Sequence, residues 1–319
     1  MKEFWRVATE SDFRSLALET FRFQAQQLAP YRDYLSMIGC RVDAVCEVEQ
    51  IPFLPIELFK TSDIYCGERA PEAIFTSSGD ILSRHMMHSL TNYEEAFTRG
   101  FELFYGDPSQ WGIYALLPSY LEREGSSLIY MVDRLVARSQ GRGGGFYLYD
   151  HRQLMEDMQR DERPKILLGV SYALLDLAES GVVDEPLQNT VVMETGGMKG
   201  RREELSKGEL HRRLCRAFGV EQIASEYGMA ELTSQGYSSG GGLFRTPPWM
   251  RVLIRDLADP FEIKRGGERG GVNIIDLASR YSCAFVETQD LGRVTSEGEF
   301  TIEGRISGSD IRGCNLLIE

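Results

Sequence analysis

The chain has 319 residues, of which 42% are hydrophobic, so it is long enough for one large or two smaller domains and is not a disordered polymer. With 35 basic and 48 acidic residues its net charge is −13, which excludes the overall positive charge of a nucleic-acid-binding protein. A local basic pocket for a small anion remains compatible with this acidic total.

The cysteines, the histidines and the hydropathy of the chain narrow the class of protein further. The six cysteines form no CxxC pair and the four histidines have no metal-like spacing, so we expect no structural zinc site. The charged N-terminus, MKEFWRVATESDF, lacks the apolar core of a signal peptide. The most apolar stretch, 166–178, contains Asp176 and is shorter than the roughly 18 residues that span a bilayer. We therefore expect a soluble cytoplasmic protein with reduced thiols.

The first hundred residues predict helices joined by an extended connector. Residues 10–29 carry apolar side chains at helical spacing without glycine or proline, and 30–39 continue this helix loosely. Residues 51–60 contain two prolines and indicate an extended, packed connector. A further helix is predicted over 92–106, where it ends at a glycine.

Predicted strands and helices then alternate. Strands are predicted at 111–119, 189–197 and 221–228, helices at 151–161 and 204–219, a strand, a turn and a helix at 165–180, and a strand or a helix at 126–136. This pattern indicates a mostly parallel sheet with helices on its faces. Ligands bind such sheets at the carboxyl ends of the strands, where a glycine pair and the motif YGMAE fall.

The pattern changes after residue 243, where short alternating strands with glycine-containing turns predict a small antiparallel sheet or distorted β-barrel. The predicted fold class is therefore α/β, with mostly parallel sheets flanked by helices and a small β subdomain. We divide the chain into a helical N-terminal segment plus α/β core at 1–243 and a β subdomain with a C-terminal tail at 244–319.

Two polar stretches could bind the parts of a nucleotide. In IFTSSGDILSRH, at 74–85, hydroxyl and backbone N–H groups could hold phosphate oxygens that Arg84 neutralises, or the stretch could be an ordinary polar turn. It is not a Walker loop, because GxxxxGK[ST] is missing. In METGGMKGRRE, at 193–203, two glycines would let a flat ring approach the backbone, or they could make a tight strand-to-helix connection.

Three further features have both a chemical and a structural interpretation. In YGMAE, at 227–231, the tyrosine could stack on a base and Glu231 could hold Mg²⁺ beside phosphates, or the motif could be a loop with a capping glutamate. In ETQDLGRV, Asp290 could accept hydrogen bonds from a ribose, or it could form a hairpin turn. Cys314 could be a small apolar residue, although Arg312 nearby could favour a thiolate.

The order of these motifs resembles that of the adenylate-forming enzymes, which include acyl-CoA synthetases, luciferases and peptide-synthetase adenylation domains. Thr-Ser-Ser-Gly is followed by Tyr-Gly-x-x-Glu, then by Asp-Leu-Gly-Arg and Gly-Arg. Over residues 50–319 the chain is similar to the acyl-protein synthetases of bacterial fatty-acid reductase systems. The stretches that carry this likeness are 116–136, 169–179, 193–203, 225–238 and 304–317.

The resemblance implies that a carboxylic acid, in the first place a fatty acid, is activated by ATP to an acyl-adenylate and passed to a thiol. It also implies roles for individual positions. The phosphates would be held by Thr76, Ser77, Ser78, Gly79 and Arg84, and the adenine by Gly196, Gly197, Tyr227 and Gly228. Asp290 would hold the ribose, Arg305 the ribose or a phosphate, and Glu231 Mg²⁺. Met229 would contact the acyl chain, and Cys314 would carry the acyl group covalently.

The sequence departs from the superfamily pattern in two places. The loop reads Ser-Ser-Gly-Asp where Ser-Ser-Gly-Thr-Thr-Gly is usual, and Asp80 places a negative charge where phosphates should lie. The chain also ends shortly after Gly-Arg, so we expect no mobile lid with a catalytic lysine. A partner such as an acyl reductase or a carrier protein would then accept the acyl group or complete the site.

Two other functions stay open at this level. The chain could be a ligase that loads coenzyme A or a free carrier thiol, with Cys314 in a structural role. It could also be a non-catalytic nucleotide- or acyl-binding scaffold, which the altered phosphate loop would favour and the joint presence of Glu231, Asp290 and Arg305 would not.

Overall fold

A computed structural model describes residues 4–77, 82–118, 125–139, 144–196, 205–264 and 266–306. These residues form two compact units that interleave along the chain. The first unit contains 4–100, 228–235 and 245–306, and the second contains 101–227 and 236–244. The predicted division at residue 243 stays a prediction.

Eight helices and fourteen strands lie within the described ranges. The helices are α1 Glu10–Gln27, α2 Ala29–Met37, α3 Leu58–Thr61, α4 Leu90–Tyr105, α5 Ser127–Arg138, α6 His151–Arg160, α7 Ser171–Glu179 and α8 Lys207–Phe218. The strands are β1 Leu54–Pro55, β2 Ala73–Thr76, β3 Arg84–Met87, β4 Gly112–Leu116, β5 Gly145–Phe146, β6 Lys165–Val170, β7 Thr190–Thr195, β8 Ala224–Tyr227, β9 Gly236–Ser238, β10 Leu243–Phe244, β11 Met250–Arg255, β12 Gly270–Asp276, β13 Phe285–Val294 and β14 Phe300–Arg305. No helix of the described residues is long and apolar enough to cross a membrane.

The second unit is built on a mostly parallel sheet in the order β5-β4-β6-β7-β8-β9, in which only β9 runs antiparallel to its neighbour. Every residue of β4 and β6 is buried, as expected for strands that are covered on both faces. In register, Thr195 at the end of β7 lies beside Glu226 on β8. The carboxyl ends of these two strands therefore lie side by side, as the alternating pattern predicted.

Two ambiguities of the sequence are settled by helices of the second unit. Residues 126–136, predicted as a strand or a helix, are helical because Ser126 caps the first turn and Ile129, Val132 and Leu135 bury one face. The turn predicted within 165–180 is wrong, because β6 ends at Val170 and α7 begins at Ser171 without intervening residues.

The first unit contains a curled antiparallel sheet in the order β14-β13-β12-β11, with β1 pairing parallel to β13. Register shifts at Gly271/Asn273 and Leu291/Gly292 bend the long strands. The rings of Phe21, Tyr31 and Phe53 surround Phe285 of β13, which joins the N-terminal helices to the sheet in one core. The predicted extended connector at 51–60 contains the short strand β1, and its last residues belong to α3.

Candidate functional site

The stem of the predicted phosphate loop is a two-stranded hairpin in the first unit. Thr76 on β2 pairs with Arg84 on β3. Just inside this pair, the Ser77 N–H donates to the Ser83 carbonyl at 3.1 Å, and the Ser83 N–H donates to the Ser77 hydroxyl at 2.9 Å. The stem therefore fixes both ends of the loop. Ser78, Gly79 and Asp80 lie outside the described residues.

Arg84 already has an acidic partner on the protein. Its Nη2 lies 2.6 Å from Oδ1 of Asp63, and both side chains are exposed. Exposed ion pairs contribute little free energy, so a phosphate could compete with Asp63 for this guanidinium.

Glu231 is completely buried within the segment Gly228–Gln235, which we term the Glu231 segment. Immediately before Glu231, the carbonyl of Ala230 accepts a hydrogen bond of 2.8 Å from Nδ1 of His85 on β3. Burial lowers the pKa of His85, and the bond to Ala230 offsets this only in part. A neutral imidazole with its proton on Nδ1 therefore anchors the first half of the segment.

A second anchor follows Glu231. The buried carboxylate of Asp276, at the end of β12, accepts hydrogen bonds from the backbone N–H groups of Thr233 and Ser234, both at 2.8 Å. The Ser234 hydroxyl donates to the same carboxylate at 2.7 Å and accepts from Nε1 of Trp249 at 2.9 Å. The backbone on both sides of Glu231 is thus tied to neighbouring strands of the first unit.

Sequence reasoning missed both anchors as functional residues. His85 is the last residue of the predicted phosphate motif IFTSSGDILSRH, but nothing in the sequence indicates its hydrogen bond to Ala230. Asp276 is the one charged residue in the apolar run GVNIID. A carboxylate at the end of such a strand is the feature from which its role could have been predicted.

The structure brings Asp290 and Arg305 together. They are register partners on β13 and β14, and Nε of Arg305 lies 3.7 Å from Oδ1 of Asp290. Both side chains are about nine-tenths buried. This places an acceptor for sugar hydroxyls next to a cation that can meet a phosphate.

In the second unit, Gly196 directly follows β7, and Tyr227 ends the adjacent strand β8. Gly196 has φ +63°, a left-handed conformation that favours glycine, and its carbonyl accepts a hydrogen bond from the Ser171 hydroxyl. Tyr227 is buried, with its ring edge-on to Phe244 at 5.9 Å between centroids. Gly197 lies outside the described residues.

Two buried glutamates on these strands have opposite pKa shifts. Burial alone would raise the pKa of Glu194, but the Lys207 ammonium, 2.9 Å from its Oε1, and the neighbouring His211 and Ser225 side chains lower it to about 2. Burial raises the pKa of Glu226 to about 7, against a hydrogen bond from the Thr195 hydroxyl. At neutral pH, Glu194 is therefore ionised and Glu226 is partly protonated. Sequence reasoning missed both acids.

Four of the described cysteines are not activated nucleophiles, because their pKa values are raised. Burial raises the pKa of the Cys66 thiol to about 11 and that of Cys283 to about 12, and it also raises the pKa of Cys40 and Cys215. These four remain thiols at neutral pH and are poor nucleophiles. Cys314 lies outside the described residues.

Few side chains of the described residues could coordinate a metal ion. No group of three or more His, Cys, Asp or Glu side chains within the described ranges is arranged to hold a metal ion. Mg²⁺ commonly binds through one or two carboxylates while substrate phosphates and water fill its other positions. Glu231, on a segment that is anchored from both sides, could serve as such a carboxylate. The described residues do not form a complete set of protein ligands around a metal ion.

Comparison with known proteins identifies similar folds. No protein-family model and no curated protein matches the chain. The open conformation of 2-hydroxyisobutyryl-CoA ligase with 2-HIB-AMP and CoA is 13% identical, with a TM-score of 0.70 over 97% of this chain and 77% of that one. ATP-bound MatB from Rhodopseudomonas palustris is 17% identical, with a TM-score of 0.55 over 75% of this chain and 50% of that one. The luciferase-like enzyme from the nonluminescent Zophobas morio mealworm is 15% identical, with a TM-score of 0.52 over 78% and 60%.

At these identities the likeness shows the fold, which is that of adenylate-forming enzymes. The predicted α/β class with a small curled antiparallel sheet is confirmed. The chain spans about half the length of MatB. The predicted superfamily and the predicted membership of the acyl-protein synthetases both stay predictions.

Proposed function

We propose that this protein activates a carboxylic acid with ATP to an acyl-adenylate and transfers the acyl group to a thiol. One observation carries the proposal: on the fold of adenylate-forming ligases, Asp290 and Arg305 are register partners and Glu231 is held from both sides. The pairing of Asp290 with Arg305 and the anchoring of the Glu231 segment support the proposal in addition to the motif order.

The first half of the reaction joins two anions. A carboxylate oxygen of the acid attacks the α-phosphorus of ATP, the bond to the β-phosphate oxygen breaks, and pyrophosphate leaves. Such a step needs positioning and charge neutralisation more than a strong base. In our assignment, Thr76, Ser77 and Arg84 hold phosphate oxygens, and Arg305 lies near the sugar or α-phosphate.

Other residues position the nucleotide. Asp290 accepts hydrogen bonds from ribose hydroxyls, while Gly196 and Tyr227 contact the adenine and Met229 contacts the acyl chain. Mg²⁺, when bound through Glu231, neutralises charge on the phosphates. His85 and Asp276 act through the backbone, because they fix the segment that carries Glu231.

The second half consumes the adenylate. A thiol sulfur attacks the acyl carbon, the carbon–oxygen bond to AMP breaks, and the thiol proton passes to solvent, which leaves a thioester and AMP. We propose Cys314 as the first acceptor and a partner protein, such as an acyl reductase, as the second. The raised pKa of the buried Cys66 and Cys283 thiols argues against a role for those cysteines. Coenzyme A or a carrier thiol is the alternative acceptor.

Hydroxylamine trapping tests the proposal and identifies the acid. Purified protein is incubated with ATP, Mg²⁺, hydroxylamine and one member of a panel of short, medium and long fatty acids and aryl acids. ATP-dependent hydroxamate formation with one class of acid is the expected result. Folded protein that forms no hydroxamate from any acid would contradict the proposal.

The acceptor is tested separately with a radiolabelled acid of the class so identified. We expect a hydroxylamine-sensitive acyl label on the wild type and on Cys46→Ser, which alters an exposed cysteine. Cys314→Ser should lose the label while still forming hydroxamate. If Cys314→Ser keeps the label, or if the wild type acquires none and loads coenzyme A instead, Cys314 is not the carrier.

A further inference from the structure

The first unit contains a cavity of about 380 Å³ that the proposed reaction does not use. Its walls come from β3, the first turns of α4, the end of the Glu231 segment and the turn after β12. The residues that define it best are Trp5, His85, Asn92, Thr233, Ser279 and Tyr281. None of the residues assigned above to ATP, Mg²⁺ or the acyl chain lines it. Its size lies within the range of small-molecule sites.

One wall of the cavity is aromatic. Trp5 lines it from the N-terminal segment, and Tyr281 lines it from the turn after β12. The Tyr281 ring stacks on His88 with 3.9 Å between centroids, and the Asn92 amide donates to the Ala278 carbonyl at 3.1 Å. These contacts hold the wall in place and offer a flat apolar surface to a ring or an alkyl chain.

The charge of the lining is unsuited to an anion. No lysine or arginine of the described chain is among the lining residues. The nearest arginine in sequence, Arg280, pairs with Glu19 at 3.2 Å and lies over the Phe23 ring. Transfer of a carboxylate or phosphate into such a site without a cation would cost several kcal/mol.

The lining is equally unsuited to a cation. Its one charged residue is Glu95, whose carboxylate is paired with the Arg99 guanidinium one helical turn away. That arginine also lies over the Trp5 ring at 5.1 Å. The charge of Glu95 is therefore already offset, and a neutral molecule fits the lining best.

His85 supplies a directional hydrogen-bonding group. Because the Ala230 carbonyl can only accept, the His85 proton lies on Nδ1 and Nε2 is left as an acceptor. His85 is itself among the residues that line the cavity. The hydroxyls of Thr233 and Ser279 lie 2.8 Å apart and satisfy each other, so they add polarity but no charge.

We propose that this cavity binds a small neutral organic molecule with an aromatic or alkyl body and a hydroxyl or amide group that donates to Nε2 of His85. His85 anchors the Glu231 segment and Thr233 belongs to it, so a bound ligand contacts one anchor and the segment itself at once. Binding should therefore slow amide hydrogen exchange in residues 228–235. This inference does not depend on the proposed function.

Three probes with the same methylphenyl body but different charge test the proposal. Binding of p-cresol, p-toluate and 4-methylbenzylamine to the full chain is measured by calorimetry at pH 7.5, and hydrogen exchange is followed with each probe. We expect saturable binding of p-cresol, at least ten-fold weaker binding of the other two, and slower exchange in 228–235 with p-cresol alone.

A matched pair of variants locates the site. Met86→Trp places an indole on a lining residue of β3, and Ile74→Trp makes the same change at its exposed register partner on β2, outside the cavity. Met86→Trp should weaken p-cresol binding at least ten-fold, and Ile74→Trp should leave it unchanged. If Met86→Trp does not fold, Thr91→Trp, at an exposed lining position, replaces it.

Several results would overturn the proposal. They are the absence of p-cresol binding up to its solubility limit, equal binding of the anionic or cationic probe, and undiminished p-cresol binding in the folded cavity variant. Unchanged exchange in residues 228–235 at saturation would separate the cavity from the Glu231 segment and would also contradict the inference.

Discussion

At the scale of single residues, Asp276 holds more of the candidate site in place than any residue that the sequence singled out. It is fully buried and accepts from two backbone N–H groups of the Glu231 segment and from the Ser234 hydroxyl. A carboxylate can serve all of these donors at once because each of its oxygens has two acceptor positions. An amide cannot, since its NH₂ group would face one set of N–H donors.

Asp276→Asn should therefore lower the free energy of unfolding by about 3 kcal/mol and raise the KM for Mg-ATP more than the KM for the acid. The stability change is measured by urea denaturation and the KM values by steady-state kinetics. Asp184→Asn, which alters an exposed carboxylate, is the control and should change little. Wild-type stability in Asp276→Asn would show that the anchor is dispensable.

Glu226 gives stability a specific pH dependence. Its pKa is raised by burial from 4.5 to about 7, so the folded state binds more protons than the unfolded state between these values. Stability therefore falls as pH rises through this window, by roughly 3 kcal/mol from Glu226. Glu194 does not mask the effect, because its lowered pKa of about 2 confines its contribution to pH values below 4.5.

Glu226→Gln should remove this loss of stability between pH 5 and 8 and should make the protein more stable than the wild type at pH 8. Urea denaturation across the pH range measures both effects. Glu209→Gln is the control, because hydrogen bonds from Arg213 and Arg212 lower the pKa of Glu209, and a lowered pKa acts only below the window. A slope in Glu226→Gln equal to that of the wild type would show that Glu226 is not the titrating group.

At the scale of elements, the Gln24 side chain ties α1 to the turn between β12 and β13. The buried Gln24 amide donates to the carbonyls of Ser279, Arg280 and Ser282, and its oxygen accepts from the Ala284 N–H. Both the NH₂ group and the oxygen of this amide are therefore used. The helix thereby fixes the turn between β12 and β13.

Gln24→Ala would leave one N–H and three carbonyls of this turn without their partner, and we expect a loss of about 3 kcal/mol in the free energy of unfolding. Gln26→Ala makes the same change in helix propensity at an exposed position of α1 and should be nearly neutral. Chemical denaturation of both variants measures the difference. Equal stabilities would mean that the turn is held by other contacts.

The end of α8 gives a second test at this scale. Gly219 caps the helix with φ +67°, and a Cβ atom there would lie 2.5 Å from the side chain of Pro186. Gly219→Ala should therefore destabilise the protein by about 2 kcal/mol. Gly208→Ala, inside the same helix and near only the flexible end of Arg212, should instead stabilise it by up to about 1 kcal/mol. Thermal unfolding distinguishes the two, and the opposite order would contradict the assignment of the cap.

Local patterns explain which elements could be predicted. Apolar periodicity predicts the strands β4, β6, β7 and β8 and the helices α4, α6 and α8. It does so because the burial of one or both faces of an element determines which of its consecutive residues are apolar. The hydrogen bonds from His85 to Ala230 and from the Glu231 segment to Asp276 join residues that are far apart in sequence. No local pattern records such contacts, so both anchors and the cavity required the structure.

At the scale of the whole molecule, the fold is that of adenylate-forming enzymes, and the reaction is a proposal that the motif order motivates. Each unit carries part of the motif set: Gly196 and Tyr227 lie in the second unit, and Glu231, Asp290 and Arg305 lie in the first. The fold alone is shared by enzymes that act on different acids, so the substrate has to come from activity measurements rather than from the architecture.

The most direct test of the central proposal is acid-dependent exchange of radiolabelled pyrophosphate into ATP, because it reports adenylate formation without any thiol acceptor. Asp290→Asn removes the charge proposed to bind ribose, and Glu303→Gln changes a half-exposed acid on the neighbouring strand β14 as its control. We predict exchange that requires one class of acid, persists in Glu303→Gln and falls at least a hundred-fold in Asp290→Asn. Absence of exchange with every acid, from folded protein with Mg²⁺, would contradict the proposal that this chain is an adenylate-forming enzyme on its own.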